Sequence, residues 1–105
     1  MATPRQKPGK SKQSYQTPIS FIQAVKRKFH IQDFSIDLAA SEENAVASIF
    51  YTEADNALEC NWHDHPGVCW LNPPFSNITP WVKKALEEDM KGAEILMLVP
   101  ASVGS

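Results

Sequence analysis

The sequence has few cysteines, and it lacks any long apolar run. Its 105 residues include only 2 Cys, which excludes a disulfide-stapled scaffold, and we expect Cys60 and Cys69 to be reduced thiols. No segment is long and apolar enough to span a membrane, and the N-terminus lacks the apolar core of a signal peptide. We therefore expect a cytoplasmic, single-domain protein that does not contact a membrane.

Acidic residues are missing from the first 30 positions, although they outnumber basic residues in the rest of the chain. Residues 1–30 carry a formal charge of +7, and residues 31–105 carry −9. Residues 1–15 are rich in Lys, Gln, Ser and Pro and have almost no apolar side chain to bury. We therefore expect a disordered basic arm there and a folded domain over residues 16–105. The arm indicates contact with nucleic-acid phosphates, although a solvated tail would have the same composition.

Apolar patterning predicts strands that alternate with helices. We expect strands over residues 34–38, 49–52, 68–71 and 93–99, and helices over residues 17–29, 42–48 and 79–91. Thr17 is expected to cap the first helix, with Pro18 at its first position. Thr79-Pro80 begins the last helix, and Gly92 ends it. The apolar side of that helix is expected to comprise Trp81, Ala85, Leu86 and Met90.

The strand-helix-strand order over residues 68–99 predicts a βαβ unit. Such a unit makes the sheet parallel at that point, with a right-handed crossover, and places the chain in the α/β class. Ligands of these folds lie outside the carboxyl ends of the strands. Asp37 and Asn72 both lie at predicted strand ends of this kind, so we expect them to line one crevice.

The segment Asn72-Pro73-Pro74-Phe75 is the most informative part of the chain. It follows the apolar run over residues 68–71 and precedes a helix start. Its two prolines fix their own φ angles and extend the residue before each of them, so the segment is stiff. The Asn72 side-chain oxygen and the Pro73 carbonyl can accept both hydrogens of a planar amine, beside the ring of Phe75. A tight Asn-Pro turn between a strand and a helix would also explain these residues.

A clamp of this kind suits methylation of an exocyclic amino nitrogen. The amine of adenine is a poor nucleophile because its lone pair is delocalised into the ring. Two acceptors that take both hydrogens draw the nitrogen toward tetrahedral geometry, and the lone pair can then attack a methyl group in line. Preorganised dipoles make such a site effective. An aromatic face can stack on a base that has been extruded from the duplex.

Taken in order, several segments resemble the phage N-6-adenine DNA methyltransferase family, a Dam-like group within the class I S-adenosylmethionine-dependent enzymes. The resemblance implies a Rossmann-like fold with a mostly parallel sheet and flanking helices. It also implies S-adenosylmethionine as methyl donor and adenine in double-stranded DNA as acceptor. The segments that carry the resemblance are Thr17-Pro18, Ile36-Asp37-Leu38-Ala39-Ala40, Glu43-Asn44, Tyr51-Thr52, Asp55-Asn56-Ala57-Leu58, Trp62, Trp70-Leu71-Asn72-Pro73-Pro74-Phe75, Trp81-Val82-Lys83-Lys84-Ala85 and Leu98-Val99-Pro100-Ala101.

The same resemblance implies residue roles. The catalytic residues would be Asn72, Pro73, Pro74 and Phe75. Asp37, with Ala39 and Ala40 after it, resembles the donor-binding loop that follows the first strand, although Asp37 would also suit a helix N-terminus. Asp55 resembles the acid near the adenosine part of the donor, and it could equally cap a turn with Asn56. Thr17 resembles the segment near the methionine end of the donor, and a plain helix cap would also explain it.

Two features depart from the family pattern. Many class I methyltransferases have glycines in the donor loop, where this chain has Ala39-Ala40-Ser41. The sequence also stops at Ser105, directly after the strand that follows the catalytic helix, whereas a full class I sheet needs further strands. We therefore expect a fragment or a truncated product.

Other functions fit parts of the sequence. Class I enzymes that methylate glutamine in proteins or guanine in RNA use a similar Asn-Pro-Pro-aromatic motif. Methylation of a cytosine ring carbon is not expected, because it needs a cysteine nucleophile in a suitable loop. A zinc module is a further alternative, since four potential ligands lie within ten residues, although their spacing is not a standard one. A non-catalytic DNA-binding remnant would keep the basic arm. The four potential ligands are Cys60, His63, His65 and Cys69.

Overall fold

The computed structural model describes residues 5–6 and 17–99. Arg5–Gln6 form a short strand within the segment for which the sequence predicts disorder, and the rest of that arm lies outside the described residues. The strands and helices are β1 (Arg5–Gln6), α1 (Ile19–Phe29), β2 (Ile36–Asp37), β3 (Ile49–Phe50), β4 (Val68–Leu71), α2 (Thr79–Met90) and β5 (Glu94–Met97). The predicted strands are therefore present, and most are shorter than expected.

The five strands form one sheet in the order β1-β3-β2-β4-β5. Strands β2 to β5 are parallel to their neighbours, and β1 pairs antiparallel with β3. Asp37 is paired with Phe50 on one side and with Trp70 on the other, so β2, β3 and β4 end at the same edge. The predicted α/β class, with a mostly parallel sheet and flanking helices, is confirmed, and the fold is a partial Rossmann-like one.

Both faces of β4 are buried, as expected for an inner strand of a parallel sheet. Cys69 and Leu71 belong to one apolar cluster, and Trp81 of α2 packs against it. Trp70 points to the other face, where it belongs to a second cluster with Ile22 of α1. Successive residues of a strand point to opposite faces, so the two helices cover opposite sides of the sheet. Neither helix of residues 17–99 has the length and apolar character needed to cross a membrane.

The start of α1 differs from the prediction. The helix begins at Ile19, Pro18 occupies the N-cap position, and no side chain caps the helix. The Pro18 carbonyl accepts the first backbone N–H bonds of the helix. The predicted Thr17 cap is wrong because the Thr17 hydroxyl is directed to a distant partner, accepting a hydrogen bond from the side chain of Asn72 at 3.1 Å.

The predicted helix over residues 42–48 is also wrong, because this stretch forms turns. Side chains accept several backbone N–H groups of this stretch. Asn44 Oδ1 accepts the N–H of Ser41 at 2.7 Å, and the Ser41 hydroxyl accepts the N–H of Glu43 at 3.3 Å. The N–H of Val46 donates to Asp37 Oδ2 at 3.0 Å. In a helix the Val46 N–H would donate to the Glu42 carbonyl, and its bond to Asp37, nine positions away, replaces that bond.

Helix α2 begins at Thr79 as predicted, and Gly92 ends it with a φ of 106°. The prediction for its inner face is partly wrong, because Leu86 and Met90 are 63% and 86% exposed. Glu88 is instead fully buried, at 0% exposure. Positions 81, 85 and 88 lie on one side of a helix with 3.6 residues per turn, so the buried stripe includes a carboxylate.

Candidate active site

The loops that follow β2, β3 and β4 surround one cavity of about 1100 Å³. This position agrees with the rule that ligands of parallel sheets bind beyond the carboxyl ends of the strands. The volume slightly exceeds the usual range of about 300–1,000 Å³ for small-molecule sites, so the cavity has space for a ligand of cofactor size. Its walls comprise Ala39, Ala40, Ser41, Glu42, Asn44, Thr52, Glu53, Ala54, Asn56, Ala57, Leu58, Asn72, Pro73, Pro74, Asn77 and Trp81.

Asn72 and the two prolines lie on the wall of this cavity, directly after β4. Asn72 is half-buried and Pro73 is buried, whereas Pro74 is exposed. The Asn72 amide nitrogen donates to the Thr17 hydroxyl, so this nitrogen is already engaged. Within residues 17–99, no hydrogen bond is made to Asn72 Oδ1 or to the Pro73 carbonyl. Two acceptors from adjacent residues are therefore available for an amine.

Phe75 is not one of the residues that line the cavity. It begins a short 3-10 turn, Phe75–Asn77, and its side chain is 44% exposed. The residue before it and Asn77 both line the cavity. An aromatic ring in this position is accessible to a base that approaches from outside, and such stacking is worth roughly 1–3 kcal/mol.

Ala39 and Ala40 line the cavity, while Asp37 does not. The Asp37 carboxylate is buried, and its two oxygens accept the N–H groups of Ala39 at 3.2 Å and Val46 at 3.0 Å. Asp37 therefore fixes the shape of the loop after β2 without lining the cavity itself. The Ala40 N–H donates to the Tyr51 carbonyl at 2.9 Å, which ties the same loop to the end of β3. A role for Asp37 in direct contact with a donor stays a prediction.

Asp55 closes the turn that follows β3. Its Oδ2 accepts the Thr52 hydroxyl at 3.1 Å and the N–H of Thr52 at 2.8 Å, and the N–H bond is one half of a capping box between the two residues. The turn-capping role considered from the sequence is therefore present, with Thr52 as the partner in place of Asn56. Asp55 does not line the cavity, while Thr52, Glu53 and Asn56 do.

Several polar residues that line the cavity were not predicted from the sequence. Glu42 and Glu53 place negative charge on the wall, and Asn44 and Asn56 add amide groups. These side chains could hold a cationic, hydroxyl-rich ligand through charge and hydrogen bonds. A signal for Glu53 exists, because it is the first acidic residue after β3, just as Asp37 ends β2.

The residues of the alternative zinc site are not brought together. His63 Nδ1 lies 2.7 Å from Glu88 Oε1, and His65 Nε2 lies 3.2 Å from the hydroxyl of Tyr51. Within residues 17–99 no group of three or more His, Cys, Asp or Glu side chains could hold a metal ion. Both cysteines are free and buried. Burial raises the pKa of the Cys69 thiol, which keeps it protonated and unsuited to ligation or nucleophilic attack.

A buried ionic cluster lies behind the cavity wall. Glu88 Oε1 accepts the N–H groups of Trp62 at 2.7 Å and His63 at 2.9 Å, and Oε2 pairs with Lys84 at 2.9 Å. Trp62 stacks on Trp81 with ring centroids 6.3 Å apart, and its Nε1 donates to the Ala57 carbonyl at 2.8 Å. Because Trp81 and Ala57 line the cavity, Glu88 supports this part of its wall from within the core.

Comparisons with known proteins agree on one family. Residues 5–105 match the family model described as DNA N-6-adenine-methyltransferase (Dam). The chain is 44% identical over 68 residues to a DNA N-6-adenine-methyltransferase of Escherichia phage T1, which is 65% of this chain and 28% of that relative. It is 32% identical over 79 residues to a protein of the same name from Haemophilus phage HP1, which is 75% of this chain and 44% of that relative. The chain therefore spans less than half the length of either relative. No solved structure matches it.

Proposed function

Because the chain belongs to the DNA N-6-adenine-methyltransferase (Dam) family, we propose that it transfers a methyl group from S-adenosylmethionine to the exocyclic amine of adenine in double-stranded DNA. The observation that carries this proposal is the shared cavity, which Asn72 and Pro73 line together with Ala39 and Ala40. A methyl donor and an amine can therefore meet there. Since the curated relatives are phage proteins, we place the reaction in the cytoplasm of a bacterial cell.

The cavity suits the chemistry of the donor. S-adenosylmethionine carries a sulfonium and an ammonium group, and it supplies an electrophilic methyl when bound. Glu42 and Glu53 on the wall favour these positive charges, and Asn56 can bond ribose hydroxyls. The small side chains of Ala39 and Ala40 let the backbone approach a ligand closely. Asp37 and Asp55 do not line the cavity, and they contribute by holding the adjacent loops in place.

The amine is held by oxygens that the fold fixes in advance. Asn72 Oδ1 and the Pro73 carbonyl each accept one amine hydrogen, which makes the nitrogen more nucleophilic. Pro73 is buried, and both prolines restrict their own φ angles, so the acceptors do not reorganise during the reaction. Phe75 stacks on the base at the rim of the cavity. The base reaches this site after it leaves the duplex.

Tritiated S-adenosylmethionine tests the proposal with four acceptors: a duplex that contains adenine, a duplex of guanine and cytosine only, a glutamine-containing peptide and a guanine-containing RNA. We expect label in the first alone, recovered as N6-methyladenine after digestion. Label in the peptide or the RNA would assign the chain to another class of methyltransferase. Calorimetry with S-adenosylmethionine completes the test, since a DNA-binding remnant would not bind the donor.

Ala40→Leu is expected to weaken donor binding at least about tenfold, or roughly 1.4 kcal/mol, because the larger side chain enters the cavity. Calorimetry with S-adenosylhomocysteine measures this effect. Ala24→Leu is the matched control, since Ala24 is an exposed residue of α1 outside the cavity wall. Equal affinities of the two variants would contradict the placement of the donor beside Ala40.

A further inference from the structure

We propose that Thr17 is a positioning residue that holds the Asn72 carboxamide with its oxygen available to the substrate amine. This inference rests on the proposed function. The Asn72 amide nitrogen donates to the Thr17 hydroxyl at 3.1 Å, across 55 positions of sequence. No helix cap competes for the hydroxyl, because the backbone of Pro18 serves the start of α1. The contact thus joins the first helix to the end of β4.

The orientation of the carboxamide decides whether it can grip an amine. One end of the group accepts hydrogen bonds and the other end only donates them. If the NH₂ end faced the adenine amine, two donors would meet and no bond would form. With the nitrogen engaged by Thr17, Oδ1 is the end left for the amine. The hydroxyl could also donate to a reversed carboxamide, so its role is to supply the acceptor that the NH₂ end needs whenever Oδ1 serves the amine.

The framework around Thr17 is rigid enough to hold this contact. The proline that follows Thr17 biases it toward extended geometry. The Pro18 carbonyl accepts the N–H of Ile22 at 3.1 Å, and Ile22 is buried in the cluster that contains Trp70. Trp70 lies two residues before Asn72 on β4. Thr17 and Asn72 are therefore both attached to the apolar cluster that contains Ile22 and Trp70.

A purine analogue isolates the amine contact. The probes are two hairpin duplexes with one unpaired base, which is adenine in the first and purine, lacking only the exocyclic amine, in the second. Binding to the full chain is measured by fluorescence anisotropy with S-adenosylhomocysteine present. We expect the wild type to bind the adenine hairpin about tenfold more tightly, because only adenine can donate two hydrogen bonds to Asn72 Oδ1 and the Pro73 carbonyl.

Thr17→Val removes the hydroxyl and keeps the shape of the side chain. We expect the preference for adenine to fall about fivefold, since one ordering hydrogen bond is lost, while Thr17→Ser keeps the preference within about twofold. A circular-dichroism spectrum and a thermal unfolding midpoint that match the wild type show that the variant is folded. Thr17→Ala provides a second variant should valine disturb the fold.

Asn72→Asp separates positioning from packing. A carboxylate presents an acceptor at both ends, so Thr17→Val is expected to cost little preference in the Asn72→Asp background. An unchanged preference in Thr17→Val and Thr17→Ala would overturn the positioning role and leave the proposed function intact. An equal loss in both backgrounds would also overturn it, because the effect would then be one of packing. Absence of any preference in the wild type would overturn both proposals.

Discussion

Asn72→Ala is expected to lower the rate of methyl transfer to adenine by about 10²–10³, the usual effect of removing one preorganised polar contact in an active site. The side chain supplies one of the two acceptors on the cavity wall, and alanine cannot replace it. The Pro73 carbonyl would remain, so the variant can retain a rate above that of the uncatalysed reaction. The measurement is a single-turnover assay with tritiated S-adenosylmethionine and an adenine-containing duplex.

Asn72→Asp is the matched comparison for this prediction. It keeps an oxygen at the same position, so we expect its rate to stay within about tenfold of the wild type. Both variants should remain folded, because the side chain is only half-buried and loses one hydrogen bond, worth about 1 kcal/mol. A rate for Asn72→Ala above about a tenth of the wild-type rate would count against the clamp.

Glu88→Gln is expected to destabilise the fold by about 3 kcal/mol, the cost of breaking a buried ion pair. The carboxylate is fully buried and accepts hydrogen bonds from Trp62, His63 and Lys84. Glutamine keeps the volume but loses the charge that compensates Lys84. Chemical denaturation monitored by tryptophan fluorescence gives the free energy of unfolding. The variant should also weaken donor binding, because Trp62 supports Trp81 and Ala57 on the cavity wall.

The low pKa of Glu88 predicts that the protein loses stability in acid. Burial alone would raise the pKa of Glu88, but hydrogen bonds from His63 and Lys84 outweigh it and lower the pKa to about 2. A depressed pKa contributes stability above the unfolded value of about 4.3, and this contribution is lost as pH falls toward 2. We expect the difference in unfolding free energy between wild type and Glu88→Gln to shrink across that window. A difference independent of pH between 5 and 2 would contradict the ionised buried carboxylate.

The central βαβ unit could be predicted from sequence because its signals are local. The apolar run Val68–Leu71 becomes β4 with unchanged bounds, and Thr79-Pro80 and Gly92 mark α2 correctly. The stretch after Asp37 could not be predicted in the same way. Its turns depend on a carboxylate that accepts an N–H nine positions away, and such contacts leave no periodic pattern.

The candidate site could be predicted for residues of a suitable type that closely follow a predicted strand. Asn72, Pro73, Ala39 and Ala40 meet on one wall, as expected for loops at the same edge of a parallel sheet. Glu42 and Asn44 were not predicted, because polar residues of a loop give no signal for which of them lines a cavity. Glu88 was missed because its neighbour Glu87 has the same side chain, and only the helix phase set by tertiary packing distinguishes the buried residue from the exposed one.

The most direct test of the cavity and its clamp is an NMR titration of the ¹⁵N-labelled chain that follows the side-chain amide of Asn72. S-adenosylhomocysteine is added first, and we expect shifts at Ala39, Ala40 and Thr52. The hairpin with one unpaired adenine follows, and the Asn72 side-chain resonance should then move more than it does with the purine hairpin. An Asn72 resonance that stays in place, or shifts confined to residues outside the cavity wall, would contradict the proposed site.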